Sequence, residues 1–280
     1  MECNKQFQCK KRKRNLSKQI WNEYVHEHAT TKVLSKRYNK SNKWIRQQLD
    51  LYKLPKPELT PREVVLIGDA TFIQKYSWIL ILRDPHKKEN IYSNEIFSES
   101  ISGYQFAKIY VEEKGFVIKA FVGDGRAINC FQFANIPLQM CQFHQEQIIV
   151  RCVTTNPKLE AGKEILKLIK TLSCSEEKDF TDRFNQWCDN WKDFLNEKTI
   201  NPETGCWFFT HKKLRQARGS LKKYLPYLFT YKKYPELNIP NTTNSLDGFF
   251  KKIKTAISIH AGLTHRRKLK MTKSIIIGRN

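Results

Sequence analysis

The sequence predicts a mixed α/β protein: a sheet flanked by helices, interrupted by an all-α insertion and preceded by a small helix-turn-helix domain. Three observations carry this prediction. Runs of β-forming apolar residues alternate with helix-period segments between residues 62 and 156. The strand signal then lapses over residues 157–235, where helical spacing takes over. Ahead of the sheet lie short helical segments separated by turn residues, and strands interleaved with helices need a sheet covered by those helices.

Taken in order, residues 1–14 are a basic stretch that reads as the remnant of a zinc ribbon. Cys3 and Cys9 precede the run Lys10-Lys11-Arg12-Lys13-Arg14. A closed zinc site needs four ligands, so no structural zinc is expected from these two. Residues 15–56 are helical: Ile20, Trp21, Tyr24 and Val25 recur at helical spacing, then Val33, Leu34 and Tyr38, then Ile45 and Leu49. Asn39-Lys40-Ser41 makes a turn, with Ser41 placed to cap the next helix. Two short helices joined by a tight turn form a helix-turn-helix pattern, and Lys43, Arg46 and Gln47 lie on the helix that would enter a DNA groove. The proline-punctuated Leu54-Pro55-Lys56-Pro57-Glu58-Leu59-Thr60-Pro61 is a stiff linker.

Residues 62–156 form the first part of the sheet domain. Strands are expected at Val64–Gly68, Trp78–Leu82, Asn90–Ile96, Phe116–Val122 and Ile136–Met140, with helices at Gly103–Lys114 and Gln142–Val153. In the insertion, Leu159–Leu172, Glu176–Asn196 and Lys212–Tyr224 read as helices, and the aromatic stripe of the second reads as core. Residues 236–280 hold a last helix, capped by Thr242 or Thr243, and a basic tail with no acid after Gly248. The string Lys273-Ser274-Ile275-Ile276-Ile277-Gly278 does not read as a finished helix.

Charge narrows the partner. Lysine and arginine total 50 against 27 acids, so the formal charge is 50 − 27 = +23. Such an excess suits association with a polyanion, and nucleic acid is favoured over an anionic membrane. No stretch approaches the ~18 apolar residues of a membrane span, and the polar, basic start is no signal peptide. A cytoplasmic, nucleoid-associated protein with reduced cysteines follows.

Within this cationic chain, two strings stand out. Ile67-Gly68-Asp69-Ala70-Thr71 and Val122-Gly123-Asp124-Gly125 each close an apolar run with one aspartate beside small residues. A third acid, Asp247, follows in Asn241-Thr242-Thr243-Asn244-Ser245-Leu246-Asp247-Gly248. Carboxylates at strand ends can hold divalent metal, and two Mg²⁺ ions about 4 Å apart can activate the attacking oxygen and stabilise the leaving oxygen of a phosphodiester. Asp69 is expected to bridge the ions from the end of the first strand, Asp124 to come from the next buried strand, and Asp247 from one turn into the last helix. Asp84, in Arg83-Asp84-Pro85, reads as a turn residue. Cys141 and His144 lie three apart on one helix face.

From about Asn15 onward the chain resembles bacterial insertion-sequence transposases of the Mutator-like group. Four strings carry the resemblance in order: Gly68-Asp69-Ala70-Thr71, Gly123-Asp124-Gly125, Met140-Cys141-Gln142-Phe143-His144-Gln145, and the Thr-Thr-Asn segment around Asp247. The resemblance implies an RNase H-like catalytic domain with a DDE/D triad, here Asp69, Asp124 and Asp247, binding Mg²⁺ with Mn²⁺ as substitute. It implies cleavage and strand transfer at the ends of a mobile element, with double-stranded DNA as both element end and target, and a homo-oligomer on that DNA. Cys141 and His144 are then auxiliary residues that position the scissile strand or the neighbouring carboxylates. Lys251, Lys252, Arg266 and Arg267 of the tail, with Lys43, Arg46 and Gln47, form the expected DNA-binding set. The chain departs from the wider superfamily in having aspartate as its last acid and in its two ends, which read as those of a truncated copy. The rival reading is a catalytically inactive, transposase-derived DNA-binding regulator.

Overall fold

The computed structural model of the protein describes residues 16–131, 135–260 and 262–278. Cys3, Cys9 and the basic run at residues 10–14 lie outside the described residues. The chain begins with three helices, α1 (Leu16–Val25), α2 (Thr31–Tyr38) and α3 (Asn42–Leu51). The sheet region follows: β1 (Glu63–Gln74), β2 (Ser77–Asp84), β3 (Glu89–Ile96), α4 (Ile101–Glu113), β4 (Val117–Gly123), α5 (Gly125–Phe131), β5 (Leu138–Met140) and α6 (Gln142–Val153). Next come α7 (Glu160–Lys170), α8 (Glu177–Asn190), α9 (Lys192–Asn196), β6 (Lys198–Ile200), β7 (Trp207–Phe209), α10 (Lys212–Tyr224) and α11 (Thr230–Lys233). Two helices end the chain, α12 (Asn244–Ile259) and α13 (His265–Ile277).

The chain divides into two compact units. One contains residues up to Pro57 together with those from Lys251. Its helix-turn-helix is made by local chemistry. Asn39 closes α2 in the left-handed region (φ 50°), which its short polar side chain tolerates. Ser41 caps α3, its Oγ accepting the Trp44 N–H at 3.2 Å. Ile45 and Leu49 are buried, whereas Lys43, Arg46 and Gln47 are exposed. The basic tail belongs to this unit as α13. Its Met271, Ile275 and Ile276 are buried, and Ser274 accepts a hydrogen bond from Trp21 Nε1 at 2.8 Å. Its isoleucine-rich end is helical through Ile277, and the Gly278 N–H bonds the Ser274 carbonyl at 2.9 Å. Lys251, Lys252 and Arg266 are exposed. Arg267, expected to meet DNA, is instead engaged by Asp50 through two hydrogen bonds of 2.9 and 2.6 Å.

The other unit spans residues 58–250. Its sheet has the order β3-β2-β1-β4-β5. Strand β2 runs antiparallel to both β1 and β3, whereas β1, β4 and β5 are parallel to one another. This mixed sheet with flanking helices is an RNase H-like fold. Val64 to Ile67 and Ile79 to Leu82 are buried as unbroken runs, as in a sheet covered on both faces. Asp84 closes β2 as a turn residue, its Oδ1 accepting the backbone N–H groups of His86 and Lys87.

Three expectations are corrected here. First, β1 does not end at Gly68. It continues to Gln74, since Ala70, Thr71 and Phe72 keep pairing with β2 after the pairing with β4 has stopped at Ile67↔Val122. Second, the insertion is not all helical. Lys198–Ile200 and Trp207–Phe209 pair as a hairpin whose turn contains Gly205 at φ +68°. Strands of three residues are too short to display alternation, although their β-branched and aromatic residues favour pairing. Each aromatic residue of β7 also carries a cation: Lys198 over Trp207 at 4.0 Å, Lys212 over Phe208 at 4.1 Å and Arg215 over Phe209 at 3.4 Å. The expected helix Glu176–Asn196 is broken at Trp191 into α8 and α9.

The insertion shares one apolar core with the sheet, in which Leu66, Phe121, Ile149, Ile165, Phe180 and Phe229 are all buried. It is tied to the end of β5 by polar bonds as well. Gln139 and Gln142 donate to the Leu228 carbonyl at 3.0 and 2.9 Å, and Thr230 Oγ1 donates to the Leu138 carbonyl at 2.6 Å.

Candidate metal centre

Register brings the first two acids to one end of the sheet. Ile67 and Val122 are partners in the parallel β1–β4 pair, so Asp69 and Asp124 each follow two residues beyond the same pair. Asp69 therefore faces the side of the sheet that Ile67 faces, by the period-2 alternation of a strand, and Asp124 stands at the same level just past the end of β4. The glycine before each acid has a common cause. A Cβ at Gly68 would sit 2.7 Å from Phe121 Cζ, and one at Gly123 would sit 2.7 Å from Phe121 Cε1. The Phe121 ring thus crowds both glycines, together with Leu82 Cδ2 at 2.8 Å from the first Cβ and Ala127 Cβ at 2.6 Å from the second. Asp124 also caps α5, its Oδ1 accepting the backbone N–H groups of Arg126 and Ala127, both at 2.9 Å.

The same sheet end supplies Cys141 and His144. Gly123 pairs with Met140 of β5, and the Cys141 N–H then bonds the Gly123 carbonyl at 2.8 Å. Cys141 is the N-cap position of α6, with His144 in the first turn. Asp247 arrives by a return of the chain to this point. The Gln142 N–H bonds the Asn241 carbonyl at 2.9 Å, and Asn241 Nδ2 donates to Gln142 Oε1 at 3.0 Å. Thr243 donates to Cys141 Sγ from its N–H at 3.3 Å and from its hydroxyl at 3.4 Å. That hydroxyl also lies 3.4 Å from His144 Nδ1. It is thus turned to the Cys141–His144 pair, where helix capping was expected of it. With the entry to α12 pinned there, Asp247 falls in the first turn.

The outcome is a cluster of three residues. One ligand atom each from Asp69, His144 and Asp247 lie within 4.8 Å of one another. Of the three acids expected on the metal, Asp69 and Asp247 are brought together; Asp124 is outside this group, and His144 supplies the third donor. Glu99, which no motif marked, lies close by. Burial, then the charge of Asp124, raises its carboxyl above the usual range. It accepts a hydrogen bond from Tyr104 at 3.1 Å and pairs with Arg126 at 3.3 Å.

Electrostatics set these groups apart from ordinary carboxylates. Burial pushes Asp69 up to about 7, with His144 and the Ala70 N–H opposing and the two other aspartates adding to the rise. Burial alone would lower His144, but Cys141, Asp69 and Asp247 carry it up to about 9. Burial alone would raise the Cys141 thiol, yet the hydrogen bonds and charge of His144 and the Thr243 bond hold it below its usual value. A cation fits this arrangement. Asp247 Oδ2 is buried and has no hydrogen-bond partner among the described residues, and Asp69 is only 9% exposed. Two carboxylates and an imidazole are donors that divalent first-row metals accept, and the carboxylates alone also suit Mg²⁺.

Fold and site together define an RNase H-like protein with a candidate metal centre of acids and histidine at one end of its sheet. No protein-family model matches the chain, and no curated protein matches it. Among solved structures it aligns with a Drosophila P element transposase strand transfer complex at 11% identity, covering 93% of this chain and 91% of that one, with a TM-score of 0.47. It also aligns with a simian T-cell lymphotropic virus intasome in complex with PP2A regulatory subunit B56 gamma, at 11% identity over 70% of this chain and 73% of that one, with a TM-score of 0.25. No helix among the described residues is long and apolar enough to cross a membrane.

Proposed function

We propose that the protein is a DNA transposase of the Mutator-like kind, catalysing metal-dependent cleavage and strand transfer at the ends of a mobile element. The observation that carries this reading is the meeting of Asp69 and Asp247, from β1 and α12, at the sheet end where β4 delivers Asp124. Asp69, Asp124 and Asp247 are the catalytic and metal-holding residues. Bound Mg²⁺, or Mn²⁺ in its place, supplies an activated oxygen nucleophile and a counter-charge for the leaving oxygen.

The chain's own residues do the positioning. The antiparallel pairing of Asp69 with Ile81 and the parallel pairing just behind it hold the first acid on a two-sided frame. Thr243 and Cys141 orient His144 between the carboxylates. Double-stranded DNA, both element end and target, is the partner. Lys43, Arg46 and Gln47 read the end from α3, while Lys251, Lys252 and Arg266 neutralise phosphates. The working form is a homo-oligomer assembled on that DNA, in the nucleoid. The test is a strand-transfer assay on DNA bearing the element's own ends with Mg²⁺. Products that vanish in Asp69→Asn support the reading, and transfer by Asp69→Asn at the wild-type rate refutes it.

A further inference from the structure

The three donors of the cluster are not alike, and one of them is nitrogen. The ligand atoms of Asp69, His144 and Asp247 lie within 4.8 Å of one another, and Asp247 Oδ2 has no hydrogen-bond partner among the described residues. Ligands at roughly 2.1 Å from a six-coordinate ion lie about 3 to 4 Å apart, so a small contraction closes the group on one ion. The imidazole is already aimed. Its Nδ1 lies 3.4 Å from the Thr243 hydroxyl, which also contacts Cys141 Sγ, and this leaves Nε2 for the centre. A histidine whose far nitrogen is fixed by an outer partner is the usual arrangement of a metal-ligating imidazole. Asp124, by contrast, has its Oδ1 committed to the N–H groups of Arg126 and Ala127.

We propose that one divalent ion is held jointly by Asp69, Asp247 and the imidazole of His144, a mixed oxygen–nitrogen site that selects Mn²⁺ over Mg²⁺. This rests on the function proposed above for the presence of a catalytic cation, and it changes which residues hold that ion and which ion they prefer. Mg²⁺ is a hard cation served by oxygen, whereas imidazole favours the first-row transition metals. Asp124 is then left to a second ion shared with Asp69, or to the substrate.

The experiment titrates Mn²⁺ into the whole chain without DNA, following free ion by electron paramagnetic resonance and directly bound nitrogen by pulsed measurements. The expected result is a ¹⁴N modulation on bound Mn²⁺ in the wild type that is absent in His144→Gln. His144→Gln and Asp247→Asn should each weaken Mn²⁺ binding by about tenfold or more. Asp124→Asn should keep the ¹⁴N modulation on bound Mn²⁺, and Mg²⁺ should displace Mn²⁺ only at about tenfold or greater excess. Should His144→Gln fail to fold, wild-type protein made with ¹⁵N-histidine gives the same information, because the ¹⁴N pattern must then be replaced by that of ¹⁵N. A wild type without nitrogen modulation overturns the proposal, as does nitrogen modulation that persists in His144→Gln. Nitrogen-ligated Mn²⁺ in a protein that transfers no strand would refute the transposase reading alone, and strand transfer without nitrogen ligation would refute this one alone.

Discussion

Asp69 has a carboxyl that burial pushes up to about 7 from 3.8. The folded chain therefore keeps a proton that the unfolded chain releases. For such a group the stabilisation is complete below about pH 4 and is lost as pH rises through about 7. His144, raised to about 9 against burial by Cys141 and the carboxylates, acts in the same direction at higher pH. Its contribution is complete below about pH 6.5 and is lost through about 9. Ion-free protein should accordingly lose stability between pH 4 and 9. Asp69→Asn should remove the lower part of that loss, on the order of 3 kcal/mol. Thermal midpoints in EDTA at pH 5 and pH 8 measure it, and parallel pH curves for the two proteins would contradict the assignment. In activity, Asp247→Ala should eliminate strand transfer while leaving DNA binding intact, whereas Asp247→Glu should retain a measurable rate if α12 can withdraw by about one methylene. Both acids were legible as residues in the sequence because each sits in a short polar string beside glycine or threonine. His144 too was named there through its Cys-x-x-His string; its grouping with Asp69 and Asp247 was not, because that spacing says nothing about what the chain a hundred residues later brings against it.

At the scale of elements, α3 has the clearest division of labour: Ile45 and Leu49 face inward, while Lys43, Arg46 and Gln47 face solvent. Alanine at Arg46 or Gln47 should weaken preference for the element's ends more than affinity for random DNA, as competition binding would show. Equal losses on both would remove the base-reading role. Ser41→Ala should cost about 1 kcal/mol of unfolding free energy through its lost cap. The caps and turn of this motif could be read from the sequence because they are local. The extent of β1 could not. Gly68-Asp69-Ala70 interrupts its apolar run, and only pairing with β2, a contact remote from that string, carries the strand on to Gln74. The β6–β7 hairpin was missed for a related reason, since three-residue strands leave no period to detect.

The whole molecule carries a formal charge of +23, with an exposed basic set on α3, α12 and α13. DNA affinity should fall steeply with salt, the log–log slope approaching −0.9 for each phosphate neutralised, roughly −5 or steeper for a handful of contacts. A flat slope would rule out a polyelectrolyte interface. Because Arg267 is engaged by Asp50, Arg267→Ala should lower thermal stability more than it changes that slope, whereas Arg266→Ala should do the reverse. The sheet and its covering helices were visible in the sequence because long apolar runs alternate with helical ones. The grouping of the tail with the first three helices was invisible, since it joins segments at opposite ends of the chain, through contacts such as Trp21 to Ser274.

Phe121 gives the paired strings Gly68-Asp69 and Gly123-Asp124 a different meaning. Both glycines abut one aromatic ring, so they answer to packing and would be kept whatever became of the acids beside them. Substituting Phe121 with leucine should make Gly68→Ala less damaging than it is in the wild type, a non-additivity measurable by denaturant unfolding. Among sequences of this fold, the two glycines should therefore follow the residue at the place of Phe121, and the acids need not.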